Sequence, residues 1–211
     1  MATNFPTSVD VLTNPVSNDS LNSPSHSAQH ANANDAIEAV EDYLLNGAGR
    51  SGLVLIKSQV VGSGVSSVSV TSAFSSTYDN YKILYCDGVA SATPDLNLSF
   101  NGITTGYYVS IRYSTFSGTT PLAASNANGS SFLYIGSGGA STNYFNVEVN
   151  NPFNAKLKTV SGFLNNMLAG GATGETTGFN ASTASATGFT ITPSAGTLTG
   201  GTVYVYGYKK A

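Results

Sequence analysis

The chain has only two histidines, His26 and His30. Four residues apart on a helix, they share one face. In a parallel trimer they would line the axis as rings of imidazoles, an arrangement able to hold a transition metal. The plainer reading is preferred: the two rings form polar layers or meet the arm of a neighbour, with no metal and no cofactor. No histidine follows residue 30, so a Ser-His-Asp site cannot be built within the C-terminal part. A Ser-Lys pair stays formally open, but serine is so abundant that any match is uninformative.

The acids give no clearer chemistry. Glu38, Glu41 and Asp42 read as a solvated helix face. Asp79 falls in the turn Ser76-Thr77-Tyr78-Asp79-Asn80-Tyr81, where Asp and Asn are turn formers. Asp87, Asp95, Glu148 and Glu175 are scattered, and nothing in their spacing marks a glycosidase pair. Gly136-Ser137-Gly138-Gly139 lacks the lysine and following helix of a phosphate loop and reads as a hairpin loop. Cys86 is the single cysteine, in the apolar run Ile83-Leu84-Tyr85-Cys86, and reads as a buried, inert thiol. Residues 104–130 and 169–188 read as loops rich in Tyr, Phe, Asn, Thr and Gly. Their rings could stack on sugars and their amides could bond sugar hydroxyls, but ordinary exposed loops or subunit contacts are the preferred reading.

These residues need elements to carry them. Residues 1–24 hold Pro6, Pro15 and Pro24, which argues against helix and strand alike. They form an extended arm with Phe5, Val9, Val11 and Leu12 as anchors, held by a neighbouring subunit or a partner surface. Residues 25–46 carry apolar or histidine positions at His26, His30, Ala33, Ile37, Val40 and Leu44, spaced 4, 3, 4, 3, 4. That is a heptad seam of about three heptads. Ser25 is a candidate N-cap for the whole helix. Asp35, with Glu38 three residues on, would cap a shorter one. Asn46-Gly47 supplies the stop, and residues 47–52 form a hinge.

From residue 53 the pattern has a period of two. Ten strands are expected, at 53–61, 65–71, 81–87, 95–100, 106–113, 131–136, 143–150, 156–164, 188–192 and 202–208, punctuated by Gly, Asn, Pro and Ser. The fold class is mainly β: an extended N-terminal arm, one short helix and a C-terminal antiparallel β-sandwich of jelly-roll type over 53–211. In the last strand both faces are occupied, Val203 and Val205 on one and Tyr204 and Tyr206 on the other, so it should be central.

Composition narrows the function classes. Only 9% of residues are charged, against roughly 25% in an average soluble protein. With 12 Tyr and 10 Phe the chain can still build a core. A surface that is uncharged yet hydrogen-bonding is common on extracellular and particle-bound β proteins. Residues 1–52 hold six acids and one base, and the rest hold seven bases and five acids. No basic patch suggests nucleic acid, and no apolar run is long enough for a membrane span. No secretory leader is visible either, so release would need another route such as lysis.

The N-terminal segment resembles a module at the start of many tailed-phage structural proteins. The resemblance lies in Phe5-Pro6-Thr7-Ser8, Asn14-Pro15, Ser25-His26-Ser27-Ala28-Gln29-His30 and Asn34-Asp35-Ala36-Ile37-Glu38-Ala39-Val40-Glu41. The β part is similar to the small sandwich of phage head decorations and fibres, through Phe74-Ser75-Ser76-Thr77-Tyr78-Asp79-Asn80-Tyr81, the Asn151-Pro152 turn and the closing Val203-Tyr204-Val205-Tyr206-Gly207. The resemblance implies a homotrimeric virion protein without enzymatic activity. Its arm would bind the major capsid protein or another virion protein, and its β domain would project outward as a capsid decoration or cement protein. The alternative it implies is a tail or neck fibre whose β domain binds a host-surface glycan. Such fibres usually continue into a long shaft; here β pattern follows the helix within a few residues, which favours a compact decoration or a stubby fibre.

Overall fold

The computed structural model describes residues 25–45, 52–118, 120–165 and 171–210. The arm anchors Phe5, Val9, Val11 and Leu12, and all of the hinge but Gly52, lie outside the described residues. The chain divides into two compact units, one up to Gly52 and one over Leu53–Lys210.

The first unit contains α1 (His26–Leu45). It starts at the earlier of the two expected places: the Ser25 carbonyl accepts the first helical bond from the Gln29 N–H at 3.0 Å, and the Ser25 and Ser27 hydroxyls are 2.8 Å apart. The helix runs through Asp35 without a break. Five alanines in its first four turns favour this, and the 20 residues span about 30 Å.

The second unit is antiparallel β throughout, in the fold class read from the sequence. Its strands are β1 (Leu53–Val60), β2 (Val68–Val70), β3 (Asn80–Cys86), β4 (Val89–Ala90), β5 (Asp95–Phe100), β6 (Tyr107–Thr115) and β7 (Leu122–Gly129). They continue with β8 (Phe132–Ser137), β9 (Tyr144–Asn150), β10 (Lys158–Asn165), β11 (Ala172–Asn180), β12 (Phe189–Pro193), β13 (Leu198–Thr199) and β14 (Thr202–Tyr208). One layer runs β1-β14-β3-β9-β10-β11-β6-β7 and the other β2-β12-β5-β8. They join where β8 leaves its own layer and pairs with the start of β9, Gly136 opposite Phe145 and Ser137 opposite Tyr144. A short ribbon of β4 and β13 closes one end.

All ten expected strands are present. The strand β14 is central, between β1 and β3, with Val203 and Val205 buried and Tyr204 and Tyr206 half-buried. Two long strands were not expected. The segments 104–130 and 169–188 are not loops: they contain β6, β7 and β11, three neighbours in the larger layer. The Gly136–Gly139 segment leads into the hairpin connection between β8 and β9, as expected, but it is buried. Its first two residues end β8, and the remainder is buried, with the Gly138 N–H donating to the Pro94 carbonyl at 2.8 Å.

The core fills the space between the layers. Tyr81, Ile83, Val147, Val160 and Val205 come from one side, and Val70, Leu98, Phe132, Phe189 and Ile191 from the other. Rings meet edge to face across it, Phe74 with Tyr81 at 4.7 Å and Tyr107 with Phe132 at 4.8 Å. Tyr134 has a positive φ of 59° within β8, a costly conformation for an aromatic residue. It is pinned there: its N–H donates to Asn97 Oδ1 at 3.3 Å, and its carbonyl accepts from the Thr176 hydroxyl of β11 at 2.7 Å.

Candidate functional site: a helix seam and an outer sheet face

The six seam residues His26, His30, Ala33, Ile37, Val40 and Leu44 lie on one face of α1, and all six are exposed in the single chain. Ile37 is 55%, Val40 41% and Leu44 57% exposed, so the stripe is the opposite of a buried helix face. The two imidazoles meet as their spacing requires. Their Nε2 atoms are 3.0 Å apart, and the rings are edge to face at 4.5 Å. Among the described residues, no group of three or more His, Cys, Asp and Glu is gathered as a metal site would need.

Among the acids of the β unit, Glu148 and Glu175 line one pocket together with Lys82, and Asp79 and Asp95 do not share it. Asp79 binds the Asn154 amide at 3.0 Å and Lys210 Nζ at 2.9 Å, and these two partners hold its carboxyl below the usual carboxylate range. Burial alone pushes Asp95 up. Glu148 accepts from Lys82 Nζ at 2.8 Å and from the Tyr208 hydroxyl at 2.7 Å. Burial, then the Glu148 carboxylate, push Tyr208 up to about 12. Glu175 lies two strands from Glu148, across β10. Cys86 ends β3 half-buried rather than fully buried. Burial and the adjacent Asp87 raise its thiol pKa, which keeps it protonated and unreactive.

The larger layer turns one face away from the core, and its register orders that face in rows. Ser161, Thr177, Ser110 and Ser125 stand side by side on β10, β11, β6 and β7. In the next row come Asn150, Thr159, Phe179 and Tyr108, on β9, β10, β11 and β6. Small hydroxyl residues beside large rings leave a trough of about 650 Å³. The Tyr108 and Phe179 rings stack in parallel, 4.7 Å apart with 3° between their planes. The Asn150 amide donates to the Thr159 hydroxyl at 3.0 Å. None of the residues lining the trough is charged.

The sequence placed Tyr108, Ser110, Ser125, Thr177 and Phe179 within the two segments rich in aromatics and amides, without showing that they converge. It passed over Asn150, Thr159 and Ser161. The signal that could have found the last two is the alternation along Lys158–Leu164, with Thr159 between the buried Lys158 and Val160 and Ser161 just after Val160. No family model, curated protein or solved structure matches this chain.

Proposed function

We propose that this protein is a homotrimeric structural protein of a virus particle, a capsid decoration or cement protein that works by adhesion and not by catalysis. The observation that carries the reading is the exposed stripe of α1. Most of the stability of a helix in a protein comes from packing of its apolar face, and in the single chain Ile37 and Val40 are exposed. A heptad spacing fits the same stripe on another copy. The trimer order and the virion setting come from the resemblance of the N-terminal segment. In this reading residues 1–24, with Phe5, Val9, Val11 and Leu12, bind the major capsid protein or another virion protein, and the β unit faces outward.

Quantitative mass spectrometry of purified particles tests the role. One copy per few shell subunits is expected of a decoration. A handful of copies per particle would overturn it in favour of a tail or neck fibre, and absence from particles would overturn the virion reading altogether.

A further inference from the structure

We infer that the trough on the outer face of β9, β10, β11, β6 and β7 is a binding site for a neutral carbohydrate chain. The inference does not depend on the trimer or on the particle, since a decoration and a fibre could both carry such a site.

Three observations converge on carbohydrate. The first is the shelf. A stacked pair covers one face of each ring and leaves the others available, and Phe179 is 41% exposed although it is a large apolar side chain on an outward face. The carbon-hydrogen faces of a pyranose fit such a ring, with an apolar contact on one side and hydroxyls on the other. The second is the row of hydroxyls from Ser161, Thr177, Ser110 and Ser125. They repeat at the strand spacing of about 4.8 Å, close to the length of one sugar residue, so a chain lying across the strands meets a new hydroxyl at each step. The Asn150–Thr159 pair closes the end of the ring row with an amide and a hydroxyl. The third is charge. The lining has none, so nothing there would offset the desolvation of an anionic sugar or a charged peptide.

The ladder argues against a peptide strand. Within the trough β10 is paired to β9 and β11, β11 to β10 and β6, and β6 to β11 and β7. Their backbone donors and acceptors are in use, so within the trough an extended peptide could add only along the outer edge of β7, the strand that ends the layer, and not across the rows of hydroxyls and rings. Recognition falls to side-chain hydroxyls, amides and ring faces, the groups that bind sugars.

Calorimetric titration of the full-length protein tests the site, with maltohexaose, cellohexaose, laminarihexaose and mannohexaose as neutral probes. A hyaluronan hexasaccharide and a proline-rich peptide serve as comparators. Saturable binding of at least one neutral probe is expected. Phe179→Ala should weaken it about tenfold through loss of the stacking surface. Ser161→Lys should abolish it by filling the trough with a cation. Phe163→Ala, on the same sheet face but outside the trough, should leave it unchanged. The outward position of Ser161 keeps its variant folded should Phe179→Ala unfold the protein. The inference is overturned if no neutral probe binds at millimolar concentration, if binding survives both trough substitutions, or if only hyaluronan or the peptide binds.

Discussion

Three buried tyrosines show how single side chains hold this fold. Tyr81 accepts from the Ser75 N–H and donates to the Ser75 carbonyl, both at 2.9 Å. Tyr85 donates to the Gly200 carbonyl at 2.8 Å. Tyr107 accepts from the Phe100 N–H at 2.7 Å and donates to the Ile103 carbonyl at 3.0 Å, and burial pushes its hydroxyl up to about 12. Each ring fills the core while its hydroxyl ties down a connection, and at Tyr107 the backbone groups it holds are buried and would otherwise lack these partners. Tyr107→Phe keeps the ring and strands both backbone groups. It should destabilise the protein by about 1–3 kcal/mol in urea unfolding, whereas Tyr204→Phe, on a half-buried outward position, should stay within about 0.5 kcal/mol. Lys158 is the other unusual residue. It is fully buried, and its Nζ donates to the carbonyls of Ser182 at 2.9 Å and Lys156 at 3.2 Å. Burial lowers its pKa. Between the lowered value and the usual one of about 10.4, the unfolded chain holds more protons than the folded one, so this lysine makes stability rise with pH. Tyrosines with raised pKa act the other way once the pH passes about 10, so the comparison stops there. From pH about 7 to about 10, the wild-type protein should gain melting temperature relative to Lys158→Met; a constant gap would show that the lysine does not titrate differently in the folded state.

At the scale of elements, the strands that the sequence hides are the ones whose composition answers to packing. The ten expected strands carry aromatic and β-branched residues in alternation, as Val203 to Tyr206 do, and that pattern is legible. The strand β11 reads Ala-Thr-Gly-Glu-Thr-Thr-Gly-Phe-Asn, and β7 is mostly Ala, Ser and Asn. Propensity reads both as loop. The glycines of β11 have a cause in space: a Cβ on Gly174 would come within 2.2 Å of the Arg112 carbonyl oxygen, and one on Gly178 within 2.5 Å of the Tyr108 carbonyl oxygen. No local rule anticipates a neighbour brought in from more than sixty positions away, so the two sides of the trough were legible as compositions and not as one surface. The helix is the converse case. Its stripe of six residues on one exposed face was legible from spacing, because a heptad is a local property. If that seam joins copies, a charge placed on it must be desolvated beside like charges. Ile37→Asp with Val40→Asp should therefore convert the protein from trimer to monomer in sedimentation equilibrium, with the thermal transition of the β unit kept because both residues are exposed in the single chain. An unchanged mass would show that the stripe is not the contact between copies.

At the scale of the whole molecule, charge divides between the two parts of the chain. Acids dominate residues 1–52, while the β unit carries a slight excess of bases. In the proposed assembly the acidic segment meets the particle. Each arm offers only a few anchors, among them Phe5, Val9, Val11 and Leu12, too few for tight binding alone. Linked through a trimer, the second and third arms bind at the high effective concentration set by the first, so weak contacts combine into durable attachment without any new interface. Two consequences separate this arrangement from attachment through the β unit. Deleting residues 1–24 should abolish co-sedimentation with particles stripped of the protein, while the truncated chain keeps its oligomeric mass, because the seam begins at His26. Full-length binding should also weaken as ionic strength rises and screens the acidic segment from the shell. Particle binding retained after the deletion would move the attachment site to the β unit. It would also leave the arm without a role in adhesion.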